Sequence, residues 1–108
     1  MAPVAIFHYV SPAGSDFFQD WLDGLNDTRC RVAILRRVDR MAAGNAGDQR
    51  FCGKGVWELR VDCGPGYRVY FARLGADGVL LLGAGRKRSQ RTDIEGAIAR
   101  WREFKERP

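Results

Sequence analysis

Residues 55–73 hold two stretches in which apolar and polar residues alternate, joined by a glycine–proline turn. Gly55 to Asp62 reads Gly-Val-Trp-Glu-Leu-Arg-Val-Asp, and Tyr67 to Arg73 reads Tyr-Arg-Val-Tyr-Phe-Ala-Arg. Cys63-Gly64-Pro65-Gly66 between them is a turn signal. Successive strand residues point to opposite faces. Trp57, Leu59 and Val61 therefore share one face, and Glu58 and Arg60 the other. The second strand divides into Tyr67, Val69 and Phe71 against Arg68 and Tyr70. Joining apolar face to apolar face fixes the register, because a one-residue slip would mix the two sets. Arg60 then lies opposite Arg68, and Glu58 opposite Tyr70. Two like charges directly opposed on a sheet are destabilising. An anion between them relieves the repulsion, and a phosphate group is the obvious candidate.

The flanking segments complete an α+β pattern. Val4 to Val10 reads as a first strand ended by Ser11-Pro12. Ser15 is the expected N-cap of a first helix, whose buried stripe is Phe18, Trp21, Leu22 and Leu25. Asn26-Asp27 ends that helix. Thr28 to Ala43 reads as a second helix with Ile34, Leu35, Val38, Met41 and Ala42 inward and arginines outward, stopped by Gly44-Asn45. Asn45 to Gly55 reads as a polar, glycine-rich loop. Val79 to Gly83 is apolar on both faces and so reads as a central strand. A basic loop, Gly85 to Gln90, leads into a C-terminal helix with Ile94, Ala97, Ile98 and Trp101 at helical spacing. The order βααβββα predicts helices covering the Trp57, Leu59, Val69 and Phe71 face of a mostly antiparallel sheet, in one domain spanning residues 1–108. Glu58, Arg60, Arg68 and Tyr70 would then lie on the face without helices.

The chain has 18 basic and 13 acidic residues, a formal net charge of +5, and arginine far outnumbers lysine. This balance favours an anionic partner such as nucleic acid or phosphate. The three cysteines, Cys30, Cys52 and Cys63, are odd in number and not spaced as a zinc pair. The N-terminus does not read as a signal peptide, and no apolar run approaches a membrane span. A cytoplasmic location, free thiols and no metal, cofactor or membrane partner are the corresponding expectations. The glycines fit turns and not a P-loop or dinucleotide fingerprint. With His8 the only histidine, a ribonuclease mechanism using two histidines is excluded.

Several short motifs occur together in one order. They are Trp21-Leu22-x-x-Leu25, Gly44-Asn45-x-Gly47-Asp48, Gly55-Val56-Trp57-Glu58-Leu59-Arg60, and Gly64-Pro65-Gly66-Tyr67-Arg68-Val69-Tyr70. Leu81-Leu82 follows, then Lys87-x-Ser89-Gln90-x-x-Asp93-Ile94. From about Phe18 to Ala97 the chain resembles the addiction-module killer branch, phage Gp49-like and HigB-like, of the RelE/ParE toxin superfamily. The resemblance implies a RelE-like fold and the toxin of a type II toxin–antitoxin module. RelE-like members are ribosome-dependent endoribonucleases that cut mRNA; ParE-like members inhibit DNA gyrase. It also implies a cognate antitoxin, usually a helix-turn-helix protein, contact with the ribosome and mRNA, and operator DNA binding by the toxin–antitoxin complex.

By position, the family's basic strand residues fall on Arg60 and Arg68, and its basic residue after the last strand on Lys87. Relatives commonly have Gly-Gly-Asp-Lys where this chain has Ala84-Gly85-Arg86-Lys87, and Ser89, Gln90 and Asp93 stand where others carry Tyr or His. RNA cleavage without metal requires deprotonation of the 2′-hydroxyl, stabilisation of the pentavalent phosphate and protonation of the 5′-oxygen. Arg60, Arg68 and Lys87 are the candidates for charge stabilisation, Glu58 for general base, and Tyr70 for proton donation or relay. Arg86, Arg88, Lys54 and Arg37 are candidate RNA contacts. The alternatives left open are an ion-pair lattice on an exposed sheet, a ParE-like gyrase inhibitor, and a catalytically degenerate module that binds nucleic acid or antitoxin.

Overall fold

The computed structural model describes residues 2–108. Strand β1 (Ala5–His8) is followed by helices α1 (Phe17–Asp23) and α2 (Thr28–Ala42). Four strands come next: β2 (Gln49–Gly53), β3 (Val56–Val61), β4 (Tyr67–Leu74) and β5 (Gly78–Arg86). A 3-10 turn at Lys87–Ser89 leads into α3 (Gln90–Lys105). The five strands form one sheet in the order β1-β5-β4-β3-β2, with only the β1–β5 pair parallel. The α+β class therefore holds, with one strand more than the sequence pattern predicts.

The register of the central hairpin is the one dictated by its alternation. Arg60 pairs with Arg68, Leu59 with Val69, Glu58 with Tyr70 and Trp57 with Phe71. Strand β5 is interior, between β1 and β4, as its two apolar faces require. It is longer than Val79–Gly83 and takes in Gly85 and Arg86, opposite Arg68 and Tyr67. Residues 45–55 are not all loop. Gln49 to Phe51 pair with Leu59 to Trp57, and the Phe51 and Trp57 rings meet edge to face with centroids 5.1 Å apart. Aromatic cross-strand pairs of this kind stabilise an otherwise weak edge strand.

The starts of α1 and α2 are fixed by aspartates. Asp16, one residue after the expected Ser15, caps α1 by accepting from the Gln19 amide at 3.0 Å, and its second oxygen meets His8 Nδ1 at 2.7 Å. Asp27 accepts from the Cys30 amide and starts α2. Ile34, Val38 and Met41 are buried from α2, whereas Leu35 is exposed, its position lying at the margin of the stripe.

The sheet is covered on both faces, which corrects the one-sided arrangement. Helices α1 and α2 pack on Leu59, Val61, Tyr67, Val69, Phe71, Val79 and Leu81. Helix α3 packs on the reverse face, with Ile94, Ala97, Ile98 and Trp101 against Val56, Tyr70, Ala72, Leu80 and Leu82. The reason is area: Leu80 and Leu82 need burial as much as Leu81 does, at ~1.5–3 kcal/mol for each such side chain. A β-bulge aids the fit. Tyr70 pairs with Gly83 and Phe71 with Leu81, so Leu82 is the extra residue, and its carbonyl accepts from Arg100 Nε of α3. Among the described residues, no helix is long and apolar enough to cross a membrane.

Candidate functional site

The β3–β4 pairing, the turn after β3 and the end of β5 meet around a cleft of about 260 Å³. Arg60, Arg68 and Lys87 all line it, beside Gly64-Pro65-Gly66, Asp48 and Asp62. Arg60 and Arg68 arrive as cross-strand partners. Lys87 is brought in by the β4–β5 register and by its own amide, which donates to the Gly66 carbonyl at 3.1 Å. Three cationic side chains from sequence-distant positions thus face one concavity.

The repulsion between the paired arginines is relieved within the chain, not by an obligatory external anion. Arg68 turns back along the sheet and donates from Nε to Glu58 Oε2. Arg60 lies 3.6 Å from Asp48 Oδ1, with its side chain 44% exposed. An exposed pair at that distance contributes little, so Arg60 keeps most of its capacity for another anion.

Glu58 and Tyr70 do not line the cleft; they lie beneath the start of α3. Glu58 is fully buried and its oxygens are fully engaged. Oε2 takes Arg68; Oε1 takes Arg50 Nε at 3.1 Å, Arg50 Nη2 at 2.9 Å and Gln90 Nε2 at 3.0 Å. A carboxylate so occupied orients a guanidinium and is poorly placed to accept a substrate proton. Tyr70 is also fully buried, and its hydroxyl is the one buried side-chain polar atom without a partner among the described residues. Burial pushes the phenol's pKa up, and the negative charges of Asp93 and Glu58 push it further against the opposing effect of Arg68. It is a weaker acid than a free tyrosine. Nearby, Ser89 Oγ meets Asp93 Oδ2, and a side chain at Gly85 would overlap that carboxylate. Glycine there lets α3 sit close to the sheet.

The remaining candidates separate. Arg86 and Arg88 line an adjoining cleft of about 400 Å³ with Lys87, Pro65 and Gln90. Arg37 is a backbone clamp: its guanidinium donates to the carbonyls of Ala46 at 2.8 Å, Asp48 at 3.1 Å and Arg60 at 3.2 Å. Partial burial and then nearby Arg40 lower its pKa, while Asp48 acts the other way. Lys54 is at the β2–β3 turn with a φ of 53°, beside Trp101 and Arg102 of α3. It stands six positions from Arg60 along an extended chain, roughly 20 Å away. Sequence alone offers no role for Arg50, and for Gln90 only a place near the start of the last helix, not a bond to Glu58. Arg50 lies on the strand that composition made look like loop, and Gln90 is recognisable only once α3 is known to cross over Glu58.

The thiols are not all free. Cys30, in the first turn of α2, and Cys63, in the β3–β4 turn, form a disulfide with their Cα atoms 5.6 Å apart. This corrects the expectation of three thiols and ties the turn that walls the cleft to α2. Cys52 remains free. Burial, followed by the adjacent Glu58 charge, pushes its pKa up to about 11.

Known proteins match the chain over most of its length. The family described as phage derived protein Gp49-like (DUF891) matches residues 20–102. An uncharacterized protein of Haemophilus influenzae is 40% identical over 80 residues, which cover 74% of this chain and 81% of that protein.

Proposed function

We propose that this chain, which belongs to the phage-derived Gp49-like family, is the toxin of a type II toxin–antitoxin module and a ribosome-dependent mRNA endoribonuclease. The observation that carries the reading is the convergence of Arg60, Arg68 and Lys87 on one cleft. Their chemistry suits a phosphate whose charge rises in the transition state. Arg68 is pre-oriented by Glu58, so its donors need little reorganisation as that charge develops. Glu58 serves as a positioning residue and not as the base. The carboxylates that line the cleft are Asp48 and Asp62. In-line placement of the 2′-hydroxyl is assigned to the ribosome, which holds the mRNA. A cognate antitoxin, a helix-turn-helix protein encoded alongside, would silence the toxin by covering the cleft.

The test is primer extension on mRNA from cells pulsed with the chain, alone and with its neighbouring gene product. New 5′ ends inside translated codons, lost when initiation is blocked, support the reading. One observation favours a second reading. The buried, bonded state of Glu58 and the buried Tyr70 suit a surface that binds without cleaving. A gyrase inhibitor would give growth arrest with DNA cleavage complexes and no new mRNA ends.

A further inference from the structure

The Arg60–Arg68–Lys87 cleft is continuous with two others. It shares Pro65 and Lys87 with the cleft of Arg86 and Arg88. At its other side it shares Asp48, Arg60, Val61 and Asp62 with a groove of about 580 Å³ against α2, lined also by Arg36, Arg37 and Arg40. Arg36 and Arg40 are one helical turn apart and therefore lie along the same face. Both are exposed, unlike the clamp residue Arg37.

Charge is concentrated on this path. Eight of the 18 bases and two of the 13 acids line the three clefts. The rest of the chain then carries ten bases and eleven acids, so the net charge of +5 resides entirely on the path. A stripe of this kind, running through a concavity between two protein elements, matches a flexible polyanion better than a single phosphate.

We propose that the α2 groove is a second segment of one binding track: a single-stranded RNA engaged in the central cleft continues across Arg36 and Arg40. The proposal rests on the nucleic-acid part of the proposed function but not on cleavage. The α2 arginines, which amphipathicity alone would assign to a solvated helix face, gain a ligand class from their continuity with the cleft.

The test uses the intact chain and fluorescent single-stranded 2′-deoxy oligonucleotides, which cannot be cut through a 2′-hydroxyl. Lengths of about 4 and about 12 nucleotides bracket the usual site sizes of single-strand grooves. Wild-type protein is expected to bind the longer strand more tightly and with a steeper salt dependence. In Arg36→Ala/Arg40→Ala, the slope of log K against log salt for the longer strand falls by about 1.4, from two lost phosphate contacts. That corresponds to roughly a ten- to thirtyfold loss near 0.1 M salt. Binding of the short strand is unchanged. Removing two exposed bases of α3 that line none of the three clefts, Arg102 and Lys105, leaves the slope as it is.

An unchanged slope in the Arg36/Arg40 variant overturns the track. So does equal wild-type affinity for both lengths, or no binding of the longer strand. Competition by polyglutamate at equal charge concentration, abolished by the same substitutions, overturns RNA in favour of an acidic polypeptide. Absence of mRNA cleavage in cells would sink the nuclease reading while leaving the oligonucleotide result to stand or fall alone.

Discussion

On one face of the sheet, α1 and α2 close an apolar layer that runs from Phe18 and Leu22 through Ile34 to Leu59, Val69 and Phe71. On the other, α3 closes partly over apolar residues and partly over Glu58, Arg68 and Tyr70. The first face fixes register and supplies burial. The second contains a charged network that is tolerable only because nearly every polar atom in it has a partner. Neighbours on one strand thus have different duties: Leu59 holds the sheet to the helices, and Glu58 aims a cation at the cleft. The difference explains how a small domain can be stable and still present an uncompensated basic surface.

The widest separation between the faces is expected from adjacent substitutions on β3. Glu58→Ala leaves Arg68 buried without its carboxylate and should lower stability by about 3–5 kcal/mol in urea unfolding. Glu58→Gln, which retains an acceptor, should lose less. Leu59→Ala should cost about 2–5 kcal/mol through a cavity, but leave phosphate binding by the folded fraction intact. Glu58→Gln should weaken that binding. Equal phosphate affinity in the two folded variants would erase the distinction between the faces.

A smaller effect is expected from the tie between α2 and the cleft wall. Cys63→Ser opens a link between residues 33 apart in sequence, and should lower stability by about 3–4 kcal/mol on the loop-entropy estimate. Alkylation in denaturant without reductant should label one cysteine, and with reductant three. Three labels without reductant would contradict the disulfide.

Tyr70→Phe should be neutral or stabilising by up to about 1 kcal/mol, because the deleted hydroxyl has no partner and is fully buried. A loss of more than that would mean that the hydroxyl is bonded in solution. The smallest effect concerns Cys52. With its pKa pushed up to about 11, it should resist alkylation in the folded protein near pH 8 and react as pH rises towards that value. Unfolding should restore ordinary reactivity at once.

How much of this is legible in the sequence depends on whether a signal is local. The β3–β4 register follows from alternation, and it alone brings Arg60 and Arg68 together. Lys87 follows only by resemblance, since nothing local says how β5 ends. Strand β2 is obscured because Gln49-Arg50-Phe51-Cys52-Gly53 is short and bounded by glycines, and its pairing depends on Phe51 meeting Trp57. The second helical face had a readable sign, the double apolarity of β5: Leu80 and Leu82 point away from α1 and α2 and require another cover. The roles of Glu58 and Arg37 were not readable, because both are set by partners distant in sequence. Gln90 reaches Glu58 from α3, and Arg37 reaches three carbonyls across the β2–β3 end.

The most direct test of the central cleft uses purified ribosomes programmed with a 5′-labelled mRNA and the isolated chain. Wild-type protein should cut the message within the codons held by the ribosome and leave free mRNA intact. Arg60→Ala/Lys87→Ala, at two exposed positions where folding should be retained, should reduce the rate by at least about a hundredfold, the scale of losing a charge-stabilising donor. Cleavage by the folded double variant at the wild-type rate, or no cleavage by wild-type protein on any programmed ribosome, would contradict it.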